Sequence, residues 1–314
     1  MQRSLLLRRA ALLALLLLAM WRPREPLAAD VLTFDTNGDG VPDLTIPDSD
    51  GDGRFEWPAG TTILHGTLHF SAGNVVAFSG YTTIKVDTIT IDQGATLVGG
   101  QGTNLHQIKL IATHGDISSQ GRHLFGFFPG RIELTTQLGS VHLLGSFFLG
   151  ASTVIVQAPR GSISIQPDPN ADASEREIVA NTLSVFARNA SGSIVIDDAL
   201  LVSSRTTVDN HASSSVLTVD KGIRVIDGAT LGGGNVTVNA TGRITVDDAT
   251  VSGDDIKLST TRATDDVCLA NGSLLRTVSG RINTYGVRGT PHRDETSTVT
   301  GSVVGKQFVV GACP

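Results

Sequence analysis

The chain has 314 residues, a formal net charge of −6, and charged side chains at only 17% of its positions. The negative charge argues against nucleic acid and anionic membrane surfaces as partners, because both attract basic proteins. The 35 glycines, set among 40% apolar residues, are typical of a chain that makes many tight turns between apolar segments.

Residues 1–29 have the features of a secretory signal peptide. Three arginines precede an apolar run from Ala10 to Met20, and small residues at Ala28 and Ala29 suit a cleavage site. The run is shorter than the roughly 20 residues that a membrane span needs. Removing this leader takes away five Arg and one Glu, which leaves a net charge of about −10. We therefore expect an exported protein without a membrane span, located outside the cell, at the cell surface or in the periplasm.

An acidic, turn-rich segment spans residues 30–60 and contains two loops of the same design. In each loop, side-chain oxygens recur at positions 1, 3, 5 and 9, and a glycine stands at position 6, as a calcium ion with six to eight oxygen ligands requires. The carbonyl group of position 7 completes the ligand set. The predicted ligands are Asp35, Asn37, Asp39, Val41 and Asp43 in loop one, and Asp48, Asp50, Asp52, Arg54 and Glu56 in loop two.

The two loops differ from EF-hand loops at position 12, where Ile46 and Ala59 stand in place of a bidentate Glu. In this respect the pair resembles the calcium loops of thrombospondin type 3 repeats, a resemblance that covers only this segment. It implies acidic loops that wrap a metal ion and carry no catalysis, with Ca²⁺ as the cofactor. The alternative is a metal-free segment held by Asx turns.

One phrase recurs in the second half of the chain. It reads GSIVIDDAL from Gly192, KGIRVIDGAT from Lys221 and GRITVDDAT from Gly242, and its Gly-x-[Ile/Val] frame occurs earlier at Gly115 and Gly139. The glycines recur at steps of roughly 20 to 40 residues, a period that indicates a solenoid. Each unit of a solenoid is too small to bury its own apolar face and does so by stacking on its neighbours.

From residue 61 onward, short segments alternate apolar and polar residues and are rich in β-branched types, as in Thr82 to Asp92 and Asn235 to Ala240. Because parallel crossovers are overwhelmingly right-handed, these strands predict an all-β fold, a right-handed parallel β-helix over residues 61–289. Residues 290–314 are predicted to form a C-terminal cap and tail.

This frame of Gly and β-branched residues resembles the β-helices of filamentous-haemagglutinin-type adhesins and, more loosely, the pectin-lyase-like family. The resemblance to adhesins implies a stiff spacer whose side loops bind partners. The resemblance to pectin-lyase-like enzymes implies a groove beside one sheet that binds an acidic polysaccharide. Since many solenoids share this pattern, it bears on fold far more than on function.

Cys268 and Cys313 are the only two cysteines. An even pair in an exported protein favours a disulfide. Such a bond would pin the C-terminal tail to the last rungs and protect the final strand from edge-to-edge aggregation.

Asp197, Asp227 and Asp247 occupy similar places in the three recurring phrases. We expect them to stack about 4.8 Å apart along one edge of the shaft. Three outcomes are open: the carboxylates cap backbone N–H groups at the turn, solvent screens their charges, or they share a cation.

These patterns favour an adhesin-like or structural protein that binds calcium and is not an enzyme. Its expected partner is an extracellular glycan or a cell-surface protein. The alternative is a polysaccharide lyase or a glycan-binding protein of the pectin-lyase-like fold. That function would require a groove on one sheet lined by Asp with Arg or Lys, for which the sequence offers Asp247, Asp254 and Lys257.

Overall fold

The structure is a computed structural model, and it describes residues 31–99, 106–120, 124–126, 130–145, 147–166, 177–187, 193–197, 200–210, 223–226, 230–264 and 266–313. Within these ranges every regular element is a β-strand. Accordingly, no helix in the described residues has the length and apolar character needed to cross a membrane. The predicted signal peptide lies outside the described residues.

The strands of the described residues are β1 (Val31–Phe34), β2 (Leu44–Pro47), β3 (Phe55–Trp57), β4 (Gly60–Ile63), β5 (Thr67–Phe70), β6 (Val75–Phe78), β7 (Tyr81–Val86), β8 (Thr88–Ile91), β9 (Thr96–Gly99), β10 (His106–Ala112), β11 (Ile117–Gln120), β12 (Leu124–Gly126), β13 (Gly130–Thr136), β14 (Val141–Leu144), β15 (Phe147–Ala158), β16 (Ile163–Gln166), β17 (Glu177–Ala187), β18 (Ile194–Asp197), β19 (Leu200–Asn210), β20 (Ile223–Ile226), β21 (Thr230–Ala240), β22 (Ile244–Asp247), β23 (Thr250–Thr260), β24 (Val267–Ala270), β25 (Leu274–Gly286), β26 (Pro291–Arg293), β27 (Thr298–Val304) and β28 (Val309–Val310).

These strands form two long parallel sheets and one short antiparallel pair. The pair consists of β1 and β2. The first long sheet has 15 strands and the second has 11, in the order β5, β8, β11, β14, β16, β18, β20, β22, β24, β26, β28. Neighbours in each long sheet come from successive turns of the chain and run parallel, as for β14 with β16 and β21 with β23. The molecule is therefore a parallel β-solenoid, which confirms the predicted all-β fold of stacked coils.

Each turn of the coil contributes one strand position to the second sheet and two to the first. In the early turns the two positions of the first sheet are separate strands, such as β12 and β13. β15 pairs with both, because its Phe148 lies opposite Phe125 and its Val154 lies opposite Ile132. In the later turns, each strand of the first sheet from β15 to β25 is a single strand of 11 to 13 residues that spans both positions.

The core consists of columns of apolar side chains that stack from turn to turn. Ile84, Leu110, Leu134 and Val156 occupy one register position on successive turns, and all four are fully buried. The second sheet contributes a similar column, which runs through Ile89, Ile117, Val141 and Ile163. Full burial of such a side chain contributes about 1.5 to 3 kcal/mol, so each new turn stabilises the one before it.

The glycine of the repeated frame lies at the turn before strands of the second sheet, where successive turns approach closely, as Gly115 does before β11 and Gly139 before β14. A Cβ on Gly139 would lie 2.2 Å from the carbonyl oxygen of Gly115, so only glycine fits there. The next position is polar and links the turns: the Ser140 N–H donates to Asp116 Oδ1 at 2.6 Å, and the Ser162 N–H donates to Ser140 Oγ at 3.0 Å.

An aromatic cluster closes the N-terminal end of the core. The ring of Trp57, on β3, lies 5.7 Å from that of Phe34 and 5.8 Å from that of Phe78, and Trp57 is fully buried. Because β3 pairs in parallel with β6, the solenoid begins at Phe55. This start lies inside residues 30–60, which the sequence assigned to the calcium-loop segment.

The parallel ladders also continue past residue 289, the predicted end of the solenoid. β26 pairs with β24, β27 with β25, and β28 with β26, all in parallel, so the coil extends to Val310. Cys268, on β24, forms a disulfide with Cys313, and their Cα atoms are 5.6 Å apart. The predicted pairing therefore ties the tail back to an earlier turn.

Candidate metal centre

Four carboxylates converge in loop two, which joins β2 to β3. Oxygens of Asp48, Asp50, Asp52 and Glu56 lie within 4.8 Å of one another, and no other such group of His, Cys, Asp or Glu occurs among the described residues. Calcium binds its oxygen ligands at 2.3 to 2.6 Å, so two ligands on opposite sides of the ion are about 5 Å apart. One ion could therefore reach all four carboxylates.

Backbone N–H groups hold these side chains in place. The two oxygens of Asp48 accept hydrogen bonds from the N–H groups of Gly51, at 2.8 Å, and Gly53, at 2.9 Å. Glu56 Oε2 accepts from the Ser49 N–H at 2.6 Å, which brings position 9 next to position 1. Both glycines have φ values in the left-handed region, 72° and 81°, which a side chain would disfavour.

Loop one, between β1 and β2, has the same pattern of backbone hydrogen bonds, although its Asp35, Asp39 and Asp43 do not converge as the loop-two carboxylates do. The oxygens of Asp35 accept from the N–H groups of Gly38 and Gly40, both at 2.8 Å. Asp43 Oδ2 accepts from the Thr36 N–H at 2.8 Å. The predicted ligands at positions 1 and 9 therefore occupy equivalent places in the two loops.

Position 7 is fixed in the same way in both loops. The Val41 N–H donates to Asp39 Oδ1 at 2.8 Å, and the Arg54 N–H donates to Asp52 Oδ1 at 2.9 Å. The donor set predicted from the sequence consists of carboxylate, amide and carbonyl oxygens, the ligands that hard cations such as calcium prefer. The residues present therefore fit a calcium ion chemically.

The two loops differ at position 3. In loop one, the side-chain amide of Asn37 donates to Asp39 Oδ2 at 3.1 Å and to Asp43 Oδ1 at 3.4 Å, so a hydrogen-bond donor lies among the carboxylates. Loop two has a carboxylate at this position. Its nearest cationic group is the guanidinium of Arg54, whose Nε is 3.6 Å from Asp52 Oδ2. Loop two therefore brings together four carboxylates and one guanidinium, whereas loop one has three carboxylates and an amide, so the net side-chain charge is −3 in both loops.

The pKa values of two of the predicted ligand carboxyls are shifted in opposite directions. Burial raises the pKa of Asp52, the hydrogen bond from the Arg54 N–H and the charge of Arg54 lower it, and the charges of Asp50 and Asp48 raise it further. In loop one, hydrogen bonds from Thr36 lower the pKa of Asp43. A bound cation would offset the repulsion among the loop-two carboxylates and favour the ionised form of Asp52.

The loops are joined to the solenoid through residues that the sequence did not mark as functional. The Thr36 carbonyl accepts a hydrogen bond from the Thr67 N–H at 2.7 Å, and a Cβ on Gly66 would lie 1.8 Å from the same oxygen. Glu56, at position 9 of loop two, directly precedes the buried Trp57. A metal ion in either loop would thus act on the first turn of the coil.

The predicted aspartate ladder does not have the predicted register. Asp197 and Asp247 both pair with Ile226, and Asp227 itself lies outside the described residues. The reason is that the isoleucines that begin β18, β20 and β22 align with one another, whereas the phrase that contains β20 has one extra residue between its isoleucine and its aspartate. Asp247 Oδ1 instead accepts a hydrogen bond from the side-chain amide of Asn271, on the next turn, at 2.6 Å.

Comparisons with known proteins found no relative of this chain. No protein-family model matches the chain, and no curated protein and no solved structure matches it either.

Proposed function

We propose that this is an exported calcium-binding β-solenoid with an adhesin-like or structural role outside the cell or at its surface. The convergence of Asp48, Asp50, Asp52 and Glu56 in loop two is the observation that carries the calcium assignment. Loop one, with its equivalent hydrogen bonds, is the second calcium loop of the proposal. The loops take the role of the thrombospondin type 3 loops that they resemble, and wrap metal without catalysis.

The structural part of the proposal is supported by the continuous core. Parallel ladders run without a break in strand order from β3 to β27 and from β5 to β28, so the coil is suited to act as a stiff spacer. We retain the right-handed coil of the adhesin shafts as part of this proposal, since parallel crossovers favour that hand. The disulfide is the kind of bond that persists in exported proteins.

Calcium titration by calorimetry tests the proposal. We expect two sites with dissociation constants of roughly 0.1 to 1 mM, the range of extracellular modules. At about 10 mM calcium, binding of this strength would stabilise the N-terminal segment by about 1.4 to 2.7 kcal/mol per site. Chelation should loosen that segment and leave the later turns folded.

Matched variants assign the sites. Asp52→Asn should remove the loop-two site and Asp39→Asn the loop-one site, each lowering the stoichiometry from two to one. Asp254→Asn is the control, because Asp254 is exposed on β23, far along the chain from both loops. Absence of heat on calcium addition to the wild type, or equal loss of binding in the control, would contradict the calcium assignment.

A glycan-binding protein or polysaccharide lyase is the second candidate function, and a groove on the first sheet favours it. Of the three residues that the sequence offered for such a groove, Lys257 lines it. Asp247 lies on β22 of the second sheet, away from Lys257 on β23. Incubation with polygalacturonate or alginate, followed by absorbance of unsaturated products, tests the lyase reading. Product above the blank would overturn the non-enzyme proposal.

A further inference from the structure

We propose that two copies of this chain associate end to end, by antiparallel pairing of their β27 strands at the C-terminal end of the coil. The contact forms a closed two-fold dimer and leaves the N-terminal loops of the two copies at its far ends. The inference goes beyond the proposed function and does not depend on calcium, because neither loop contributes a residue to the contact.

The C-terminal end of the first sheet is an open edge. Among the described residues, β27 pairs with β25 on one side and with no strand on the other. The tail does not cover the open side. The Gly311 N–H donates to the Arg293 carbonyl on β26 at 3.0 Å. Cys313 is bonded to Cys268 on β24, so the tail runs back toward earlier turns and leaves the edge of β27 free to pair.

The apolar residues of the last turn lack the cover that the previous turn has. Leu275 and Ile282, on β25, are fully buried. Their partners on β27, Val299 and Val303, pack against the core but are only half-buried, because no further turn lies on them. Val310, on the last strand of the second sheet, is 51% exposed. A partner that continued the coil would remove this apolar surface from water.

The N-terminal end of the coil is closed in a way that the C-terminal end is not. The β1–β2 hairpin places Phe34 and Ile46 in the core, where both are buried. The hairpin also covers the first strand of the second sheet, since the Thr36 carbonyl accepts a hydrogen bond from the Thr67 N–H. A head-to-tail filament would need both ends open. One open end instead favours a contact between two C-terminal ends, which is a closed two-fold dimer.

The backbone of β27 shows which groups face the open side. The Thr298 N–H and the Val304 carbonyl both form hydrogen bonds on the β25 side, at 2.8 Å and 3.1 Å. Backbone groups of successive residues point to opposite sides of a strand. The N–H and carbonyl groups that point to the open side are therefore those of Val299, Gly301 and Val303.

An antiparallel pair centred on Gly301 matches these groups. In that register Val299 lies opposite Val303 of the second copy, and Gly301 lies opposite its own equivalent. Opposed residues of this kind exchange both of their N–H to carbonyl hydrogen bonds. The Val303 carbonyl now accepts from the side-chain amide of Gln307 at 3.3 Å, and this exposed amide is the contact that the second copy replaces.

The side chains of β27 also suit a second copy of the same strand. The strand contains neither a charged residue nor a proline, the residues with which proteins commonly protect a sheet edge. Val299 and Val303 face each other on the core side of the pair. Thr300 and Ser302, both exposed, face each other on the outer side. The sequence on either side of Gly301 is therefore complementary to itself.

Charges beyond the ends of β27 complement each other in the same register. Lys306 lies opposite Thr296 of the second copy, whose neighbour is Glu295, and both charged residues are exposed. The Lys306 ammonium donates to the carbonyls of Arg288 and Gly289, at 2.7 Å and 2.6 Å. An ammonium has three donors, so one remains for the Glu295 carboxylate. The two-fold axis produces this ion pair twice.

Sedimentation equilibrium of the disulfide-bonded protein, at about 1 to 500 µM, tests the inference. We expect a monomer–dimer equilibrium with a dissociation constant of roughly 1 to 100 µM, because the contact is limited to one end face of each copy. The constant should be the same in EDTA and in calcium. This comparison separates the dimer from the calcium proposal, which calorimetry tests on its own.

Two matched double variants test the register. Thr300→Glu with Ser302→Glu places like charges opposite each other twice and should weaken dimerisation at least about tenfold. Thr300→Glu with Ser302→Lys places opposite charges there and should keep the dissociation constant within about threefold of wild type. Within one chain these positions pair with Arg276 and Arg281, so added glutamates favour the folded monomer. Circular dichroism checks that both variants are folded.

Three results would overturn the inference. The first is a monomer at every concentration, which would mean that the partner of this edge is not a second copy. The second is an equal effect of the two double variants, which would show that the copies do not meet through antiparallel β27 strands. The third is assembly beyond the dimer, which would mean that the N-terminal end also takes part.

Discussion

Removing the disulfide should free the C-terminal end of the coil without unfolding the rest. The bond joins residues 45 positions apart, for which the chain-entropy model gives a stabilisation of about 4 kcal/mol. The closed segment contains β24 to β28, the last turns of both sheets. In a solenoid each turn contacts only its neighbours, so the loss should remain local.

Cys313→Ser is the better variant for this test. Cys268 is only 3% exposed, so its replacement would disturb packing as well as remove the bond. Cys313 is half-buried in the tail that follows β28, and its replacement removes the bond with less change in packing. Reduction of the wild type with dithiothreitol should reproduce the result without any substitution.

Hydrogen exchange followed by mass spectrometry measures the effect. A loss of about 4 kcal/mol raises the population of locally opened states up to about 10³-fold. Peptides from β26 to β28 should therefore exchange up to about 10³-fold faster, while peptides from β10 and β13 keep their wild-type rates. Equal acceleration in β10 and β13, or none at β26 to β28, would refute the argument that turns stabilise only their neighbours.

Two further predictions follow from the turns of the coil. Gly139→Ala should lower the free energy of unfolding in urea by at least about 2 kcal/mol, because the new Cβ would lie 2.2 Å from the Gly115 carbonyl oxygen. Gly311→Ala is the neutral control, because a Cβ at that position has no atom within 4 Å. The second prediction concerns pH. Hydrogen bonds from the Gly66 N–H and, to a smaller extent, from His114 lower the pKa of Asp87 from 3.8 to about 2. The ionised carboxylate therefore contributes its full stabilisation of the folded state above about pH 5, and this stabilisation is lost as the pH falls toward 2. Thermal melts from pH 7 to pH 2 should show a shallower decline in Asp87→Asn, and an unchanged slope would count against this role.

The sequence determined the secondary structure and the way the chain buries its apolar residues. Alternation of β-branched residues dictates which side chains face the core, and the spacing of glycines dictates where the turns must pass close to one another, as at Gly139. Both patterns depend on residues near each other in the chain. For the same reason the sequence could locate the candidate ligand positions of the two loops, since each predicted set lies within about nine residues.

Only the tertiary structure decided how one turn lies on the next. The register that sets Ile226 between Asp197 and Asp247 depends on the pairing of the whole strand, and one inserted residue was enough to place an isoleucine where the sequence predicted an aspartate. Local pattern also gave no sign that Trp57 would close the core.

The groove on the first sheet also depends on the tertiary structure. Lys257 and Tyr285 belong to different turns and line one groove only because those turns stack. Local alternation fixes the direction of each side chain, but which side chains become neighbours depends on contacts between residues more than 20 positions apart, and those contacts follow from the packing of complete turns.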